Sequence, residues 1–205
     1  AHVLGYVDAD GKGVMGMERA LNDRLLDEKL RGTPSILSID SRAQAALESE
    51  LQDAMIMTEA RGAAGIILDV QTGEVMALAS LPLFDPNKIR RASMKHQNNE
   101  VTQSVFELGS TFKPLTIAAA LDAGTVTDLA VRYNAMEPIK VGGFTIKDDH
   151  SQGRYLNVPE TLVHSSNIVT ARIADNLGQE ATENMFRRLG FDERPHIELF
   201  ERGHP

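Results

Sequence analysis

The sequence predicts a mixed α/β fold in which an antiparallel hairpin is joined to a helical subdomain, and three observations carry that reading. Two apolar runs at residues 64–70 and 74–80 are separated only by Gln71-Thr72-Gly73, the signature of paired strands joined by a three-residue loop. An alanine-rich apolar run at 115–121 follows Gly109-Ser110 and stops at Gly124, as a buried helix does. A third stretch, Asn157-Val158-Pro159-Glu160, starts a short helix leading to Ser165, and two further helical segments follow at 168–176 and 180–189, ended by Gly178 and Gly190.

In chain order, Asp8-Ala9-Asp10-Gly11 is turn chemistry. Residues 15–30 then place Met17, Ala20, Leu21, Leu25 and Leu26 at helical spacing, before Gly32-Thr33-Pro34 breaks the segment. A short alternating strand is expected at 35–39. It leads into a helix with Ser41 as N-cap, Gln44 completing a capping box and Gly62 just past its end. Ala43, Leu47, Leu51, Ala54 and Met55 form its apolar stripe. The near-continuous hydrophobicity of the two hairpin strands implies burial on both faces. Residues 81–99, with prolines, asparagines and basic Lys88, Arg90, Arg91 and Lys95, read as a long loop. Residues 126–158 read as irregular, with turns at Gly142-Gly143 and Gln152-Gly153.

Composition narrows the function. With 42% hydrophobic and 24% charged residues the chain is globular rather than disordered. A net charge of −8, with no Lys/Arg-rich run, argues against nucleic acid as a partner. The absence of cysteine excludes disulfides and thiolate metal sites. No apolar run approaches the roughly 18 residues that would span a bilayer, and the N-terminus has no signal-peptide pattern. Asp148-Asp149-His150 reads as a polar loop rather than a metal site, since no second cluster completes it. His164 adjoins Ser165, but helical neighbours in sequence do not face each other, so it reads as a packing residue.

The chemistry sits in Ser110-Thr111-Phe112-Lys113 and Ser165-Ser166-Asn167. A serine and a lysine three positions apart on a helix share one face, the geometry that a nucleophile and its base require. By itself the first pair would equally suit a capping serine and a lysine reaching solvent, and Ser-Ser-Asn would suit a helix cap with Ser166 as the N-cap. An S-x-N element downstream of S-x-x-K is, however, a combination shared by penicillin-binding proteins and class A β-lactamases. The chain resembles class B penicillin-binding proteins well beyond these motifs. The likeness includes Gly13-Val14-Met15-Gly16-Met17-Glu18, Gly62-Ala63-Ala64-Gly65-Ile66-Ile67-Leu68-Asp69 and Val105-Phe106-Glu107-Leu108-Gly109-Ser110, and it runs from the first residue to about Gly190. Within that class it is most similar to the division-specific peptidoglycan D,D-transpeptidases.

That resemblance implies a penicillin-binding-protein/serine β-lactamase-like transpeptidase fold. Ser110 would be acylated by D-Ala-D-Ala stem peptides and by β-lactams, Lys113 would be its base, Ser165 would relay a proton and Asn167 would bind lysine and substrate. It implies no cofactor and no metal, and it places the work on the periplasmic face of the cytoplasmic membrane, with a glycosyltransferase and division proteins as partners. No K-T-G follows Asn167 in these residues; Gln71-Thr72-Gly73 lies before Ser110 and reads as a turn. The sequence is therefore expected to be truncated at both ends. Residues 1–34 would end the non-catalytic pedestal or linker, and 35–205 would form the N-terminal part of the transpeptidase domain. Such a chain alone is expected to be an impaired catalyst that dimerises through its exposed sheet edge. A β-lactamase or penicillin sensor, and a non-catalytic division scaffold, are the alternative readings.

Overall fold

Contacts divide the chain into two compact units, Ala1–Val105 together with the segment from Arg194 on, and Phe106–Glu193. The computed structural model describes residues 1–91 and 93–203, except the side chains of Arg91 and Lys95. Residues 1–34 fall inside the first unit.

The first unit opens with strands β1 (Tyr6–Val7) and β2 (Gly13–Met15), paired antiparallel. The single helix expected over 15–30 is instead α1 (Gly16–Ala20), α2 (Asn22–Leu26) and a 3₁₀ turn at Glu28–Leu30. The interruption has a local cause: Asn22 turns its Oδ1 back to accept the Gly13 N–H at 2.9 Å, a competing bond of the kind that asparagine offers the backbone. The strand expected at 35–39 does not form. Its extended chain touches the hairpin through the Ser38 hydroxyl on the Val75 carbonyl at 2.7 Å and the Asp40 N–H on the Met76 carbonyl at 2.9 Å.

Helix α3 (Ser41–Thr58) is capped by Asp40, not Ser41. The Asp40 carboxylate accepts the Arg42 and Ala43 N–H groups at 2.8 and 3.2 Å. The Arg42 guanidinium and these N–H groups pull its carboxyl down to about 2. The left-handed residue that ends α3 is Glu59, at φ 54, rather than Gly62. Gln44 makes no capping box. Its Nε2 donates to the Leu78 carbonyl and its Oε1 accepts the Leu78 N–H, both at 2.9 Å. One side-chain amide thus acts as a strand segment for the edge of the sheet.

Strands β3 (Ala63–Leu68) and β4 (Val75–Leu81) form the expected hairpin, in register from Ala63 opposite Leu81 to Gly65 opposite Ala79. Burial on both faces holds for β4, whose Ala77–Leu81 segment is buried throughout, and fails for β3, where Ile66, Ile67 and Leu68 are exposed. The helix α3 covers the strand pair where β3 carries Gly65. A Cβ there would lie 2.9 Å from Leu47 Cδ1 and 3.1 Å from Leu51 Cδ1. Short helices interrupt the expected loop 81–99 and its continuation: a 3₁₀ turn at Pro86–Arg91, α4 (Met94–Gln97) and α5 (Glu100–Gln103). A cleft of about 560 Å³ in this unit lies among Leu37, Val75 and Leu199.

The second unit is helical, with two short strand pairs set into the stretch read as irregular. A 3₁₀ turn (Gly109–Phe112) runs into α6 (Lys113–Asp122), and later come α7 (Val158–Val163), α8 (Asn167–Leu177) and α9 (Gln179–Arg188). Strand β5 (Tyr133–Asn134) pairs with β8 (Tyr155–Leu156), and β6 (Ile139–Val141) pairs with β7 (Phe144–Ile146) across Gly142-Gly143. Ile117 and Ala120 of α6 and Val169 and Ile173 of α8 share one core with Val126, Ala135, Leu156 and Val158. Their spacing of three and four puts each pair on one helix face.

The docking of α3 through Gln44 is open to test. Gln44→Leu leaves the buried Leu78 N–H and carbonyl without partners, a loss of about 1–3 kcal/mol. Urea unfolding should show a lower midpoint with an unchanged slope, whereas an unchanged midpoint would mean that Gln44 is not what holds α3 to β4.

Candidate active site

Lys113 is the first residue of α6 and lies on the face it shares with Ile117 and Ala120, which enters the core. Its side chain is therefore drawn inside and is only 8% exposed. Ser110 sits three residues earlier in the 3₁₀ turn and remains exposed. A 3₁₀ helix has three residues per turn, so side chains at that spacing stack one above the other. Gly109, at φ 55, supplies the left-handed residue that starts the turn. Pro114 then falls in the first turn of α6, where a missing N–H costs no helical bond.

The second contribution comes from the link between α7 and α8. The α7 N-terminus is a full capping box: Asn157 Oδ1 accepts the Glu160 N–H at 2.9 Å and Glu160 Oε2 accepts the Asn157 N–H at 3.0 Å. Arg154 and Arg132 also bind the Glu160 carboxylate, at 2.8 and 3.2 Å. The Asn157 N–H, then Arg154, hold its carboxyl below the usual glutamate range. After α7 the chain turns through Ser165 at φ 51, a left-handed conformation that a non-glycine residue adopts at a cost of about 1–3 kcal/mol. Ser166, fully buried, caps α8 by accepting the Val169 N–H at 3.1 Å, as its sequence position implied.

These two segments meet at Lys113. Its amine donates to the Ser165 carbonyl at 2.6 Å, to Ser165 Oγ at 2.7 Å and to Ser110 Oγ at 3.1 Å. The Ser165 hydroxyl donates to Ser110 Oγ at 3.0 Å, closing a triangle of two hydroxyls and an amine. Burial lowers the Lys113 pKa from 10.5, and the carboxylates of Asp148 and Asp149 partly oppose that shift. The arrangement therefore favours the neutral amine more than water does, beside an exposed hydroxyl, with a second hydroxyl bridging them.

Of the four residues singled out from sequence, three converge. Asn167 is the first residue of α8 and donates its Nδ2 to the Lys147 carbonyl at 3.0 Å; among the described residues no hydrogen bond joins it to Lys113. His164 meets Arg154 at 3.5 Å rather than either serine. Sequence reasoning missed Asp148, read as part of a polar loop. Its Oδ2 accepts the Ser166 hydroxyl at 2.8 Å and its Oδ1 accepts the Ile168 N–H at 2.9 Å. Nothing local to Asp148 signals this, because both partners lie about twenty residues away. Among the described residues no group of three or more His, Cys, Asp or Glu side chains could hold a metal ion.

Comparison with known proteins agrees on one family. Residues 63–203 match the penicillin binding protein transpeptidase domain. Over all of its length the chain is 42% identical to a protein of Caulobacter vibrioides named probable peptidoglycan D,D-transpeptidase FtsI, covering 35% of that protein. Over 96% of its length it is 35% identical to the probable peptidoglycan D,D-transpeptidase PenA of Neisseria gonorrhoeae, covering 38% of it. The chain thus spans little more than a third of the curated relatives it matches. The crystal structure of penicillin binding protein 3 from Mycobacterium tuberculosis superposes with a TM-score of 0.84 at 25% identity, over 99% of this chain and 47% of that one.

The lowered Lys113 pKa has a measurable consequence. Between that pKa and 10.5 the unfolded chain holds the lysine proton and the folded chain does not, so Lys113 makes stability rise with pH in that window. Urea unfolding of the wild type against Lys113→Met should show the wild type gaining ground as pH climbs towards 10.5, then levelling. A difference flat with pH would mean that the amine is not perturbed.

Proposed function

The chain belongs to the penicillin binding protein transpeptidase family, and on that premise we propose that it carries the acylation centre of a peptidoglycan D,D-transpeptidase. The observation that carries this reading is the triangle of Lys113 Nζ, Ser110 Oγ and Ser165 Oγ, with sides of 3.1, 2.7 and 3.0 Å. Ser110 is the nucleophile, Lys113 its base and Ser165 the proton relay. Asn167, at the N-terminus of α8, is a substrate-binding residue on the rim.

The chemistry follows from which atoms can give and take protons. A carbonyl only accepts, so the Ser165 carbonyl always holds one proton of the Lys113 amine. The neutral amine has a second proton for Ser165 Oγ and a lone pair for the Ser110 hydroxyl. As Ser110 Oγ bonds to the penultimate D-alanine carbonyl of a stem peptide, its proton passes to Nζ. When the C–N bond of the tetrahedral intermediate breaks, a proton moves from Nζ through Ser165 Oγ to the leaving amine, which departs as D-alanine. An amine from a neighbouring stem reverses these transfers and forms the cross-link. In a β-lactam the amine being expelled stays tethered through the opened ring, so the acyl-enzyme persists. Such a substrate places the work on the periplasmic side of the cytoplasmic membrane, during division, with glycan-polymerising and division proteins as partners.

Labelling with a fluorescent penicillin tests the reading in the full-length polypeptide that carries these residues. A persistent adduct on Ser110 is expected, lost in Ser110→Ala and formed about 10²–10⁴-fold more slowly in Lys113→Ala, the range for loss of a general base. Near-normal labelling of Lys113→Ala would remove lysine from the mechanism. Rapid release of hydrolysed penicillin would favour a β-lactamase instead.

A further inference from the structure

We propose that His2 is an acid-sensitive latch of the first unit: uncharged, it holds residues 1–7 against Phe84 and α4, and on protonation it releases them. The inference is independent of the acylation chemistry. Its basis is a buried ring with one nitrogen bonded and the other bare. His2 is 2% exposed, and its Nε2 lies 2.8 Å from the His96 carbonyl. A carbonyl only accepts, so Nε2 carries the ring proton and Nδ1 a lone pair. Among the described residues, Nδ1 has no hydrogen-bond partner.

The ring also meets Phe84 edge to face, with centroids 5.0 Å apart and planes at 87°. Tyr6 of β1 uses the same wall: its ring lies 6.2 Å from that of Phe84, and its hydroxyl donates to Gln97 Oε1 at 3.3 Å. On their other side residues 1–7 are tied to α1. The Met17 and Glu18 N–H groups bond the Val3 and Leu4 carbonyls at 2.8 and 3.0 Å. His2 and Tyr6 thus join this stretch to Phe84 and α4, which stand between β4 and α5 in the chain. Of the two, His2 is the residue type that changes charge between about pH 5 and pH 8.

Protonation spoils that join in two ways. It places a charge where little water reaches, and it creates an Nδ1–H donor with no acceptor, costs that the open form escapes. Burial lowers the His2 pKa from 6.5. The bond to the His96 carbonyl, then Glu100 of α5 and Glu48 of α3, oppose that shift, and the α-amino group of Ala1 adds to it. Next to Phe84, Asp85 is paired with Lys88 at 3.1 Å, and the His96 side chain on α4 is exposed. Between the folded pKa and 6.5 the open stretch binds a proton that the closed one refuses. Closure is therefore strongest above 6.5 and weakens as pH falls through that window.

Hydrogen–deuterium exchange of the full-length polypeptide, compared at about pH 7.5 and about pH 5.5 and corrected for the intrinsic pH dependence of exchange, tests this. The variants are His2→Gln and His96→Gln. In the wild type, residues 1–7 and 94–97 should open up to about 10-fold more often at the lower pH, the most that one proton shifts an equilibrium over one unit below 6.5. His2→Gln keeps a donor for the His96 carbonyl but cannot be charged, so its opening should not change with pH. His96→Gln should respond as the wild type does. A wild type equally protected at both pH values, a His2→Gln variant that opens in step with it, or loss of the response in His96→Gln would overturn the proposal. If His2→Gln does not fold, the ¹⁵N resonances of the wild-type ring decide. A bare Nδ1 with a titration midpoint below 6.5 supports the latch, and a midpoint at or above 6.5 overturns it.

Discussion

Everything at this site follows from a lysine placed on the core face of a helix. The spacing of Lys113, Ile117 and Ala120 leaves the lysine side chain only 8% exposed once α6 packs against α8. A buried ammonium without partners costs several kcal/mol, so the fold must supply acceptors or the group must give up its proton. The structure does some of both. Three oxygens within 3.1 Å can take all three N–H donors, and burial still lowers the pKa below that of a free lysine. A lowered pKa moves the amine towards the neutral form that can accept a proton.

The acceptors are themselves held at a cost. Two of the three belong to Ser165, whose carbonyl and hydroxyl both point at Nζ from a left-handed backbone. That conformation is worth about 1–3 kcal/mol against the fold. It persists between two well-determined ends, the doubly bonded Asn157–Glu160 box with its two arginines and the Asp148 bonds to Ser166 and Ile168. Strain is thus confined to one residue, and its neighbours carry the compensation.

How much of this was legible in the sequence depended on how local each interaction is. The hairpin, the α6 and α8 helices, the Asn157 start of α7 and the Ser166 cap are written in runs of a few residues, and they were read correctly. The lead-in helix was read as continuous because its break comes from Asn22 turning back to Gly13, a bond that periodicity does not register. Gln44 fits a capping box by spacing, yet finds better partners on Leu78, thirty-four residues on. The exposed face of β3 was misread because apolar runs do not reveal which of two paired strands the rest of the unit covers. Asp148 is the extreme case. Its importance exists only once β7 and the start of α8 lie side by side, and a doublet of aspartates in a polar loop carries no trace of that.

The pairing of an exposed serine with a buried lysine three residues on also explains why the turn between them is 3₁₀ rather than α. In an α-helix, residues at that spacing are displaced around the axis by about 60°, whereas a 3₁₀ turn stacks them directly. Ser110 can then stand at the surface while the lysine side chain below it is largely buried. Switching to α-helix at Lys113 is equally necessary, since only the α period carries Lys113, Ile117 and Ala120 into one core. The change of helix type between Phe112 and Lys113 is therefore the local feature that lets one short segment serve solvent and core at once. Phe112 secures the join by packing its ring against Phe186 and Phe191, with centroids 5.5 and 5.4 Å away. That aromatic cluster is anchored by the side chain between Ser110 and Lys113, so its packing bears on the placement of both.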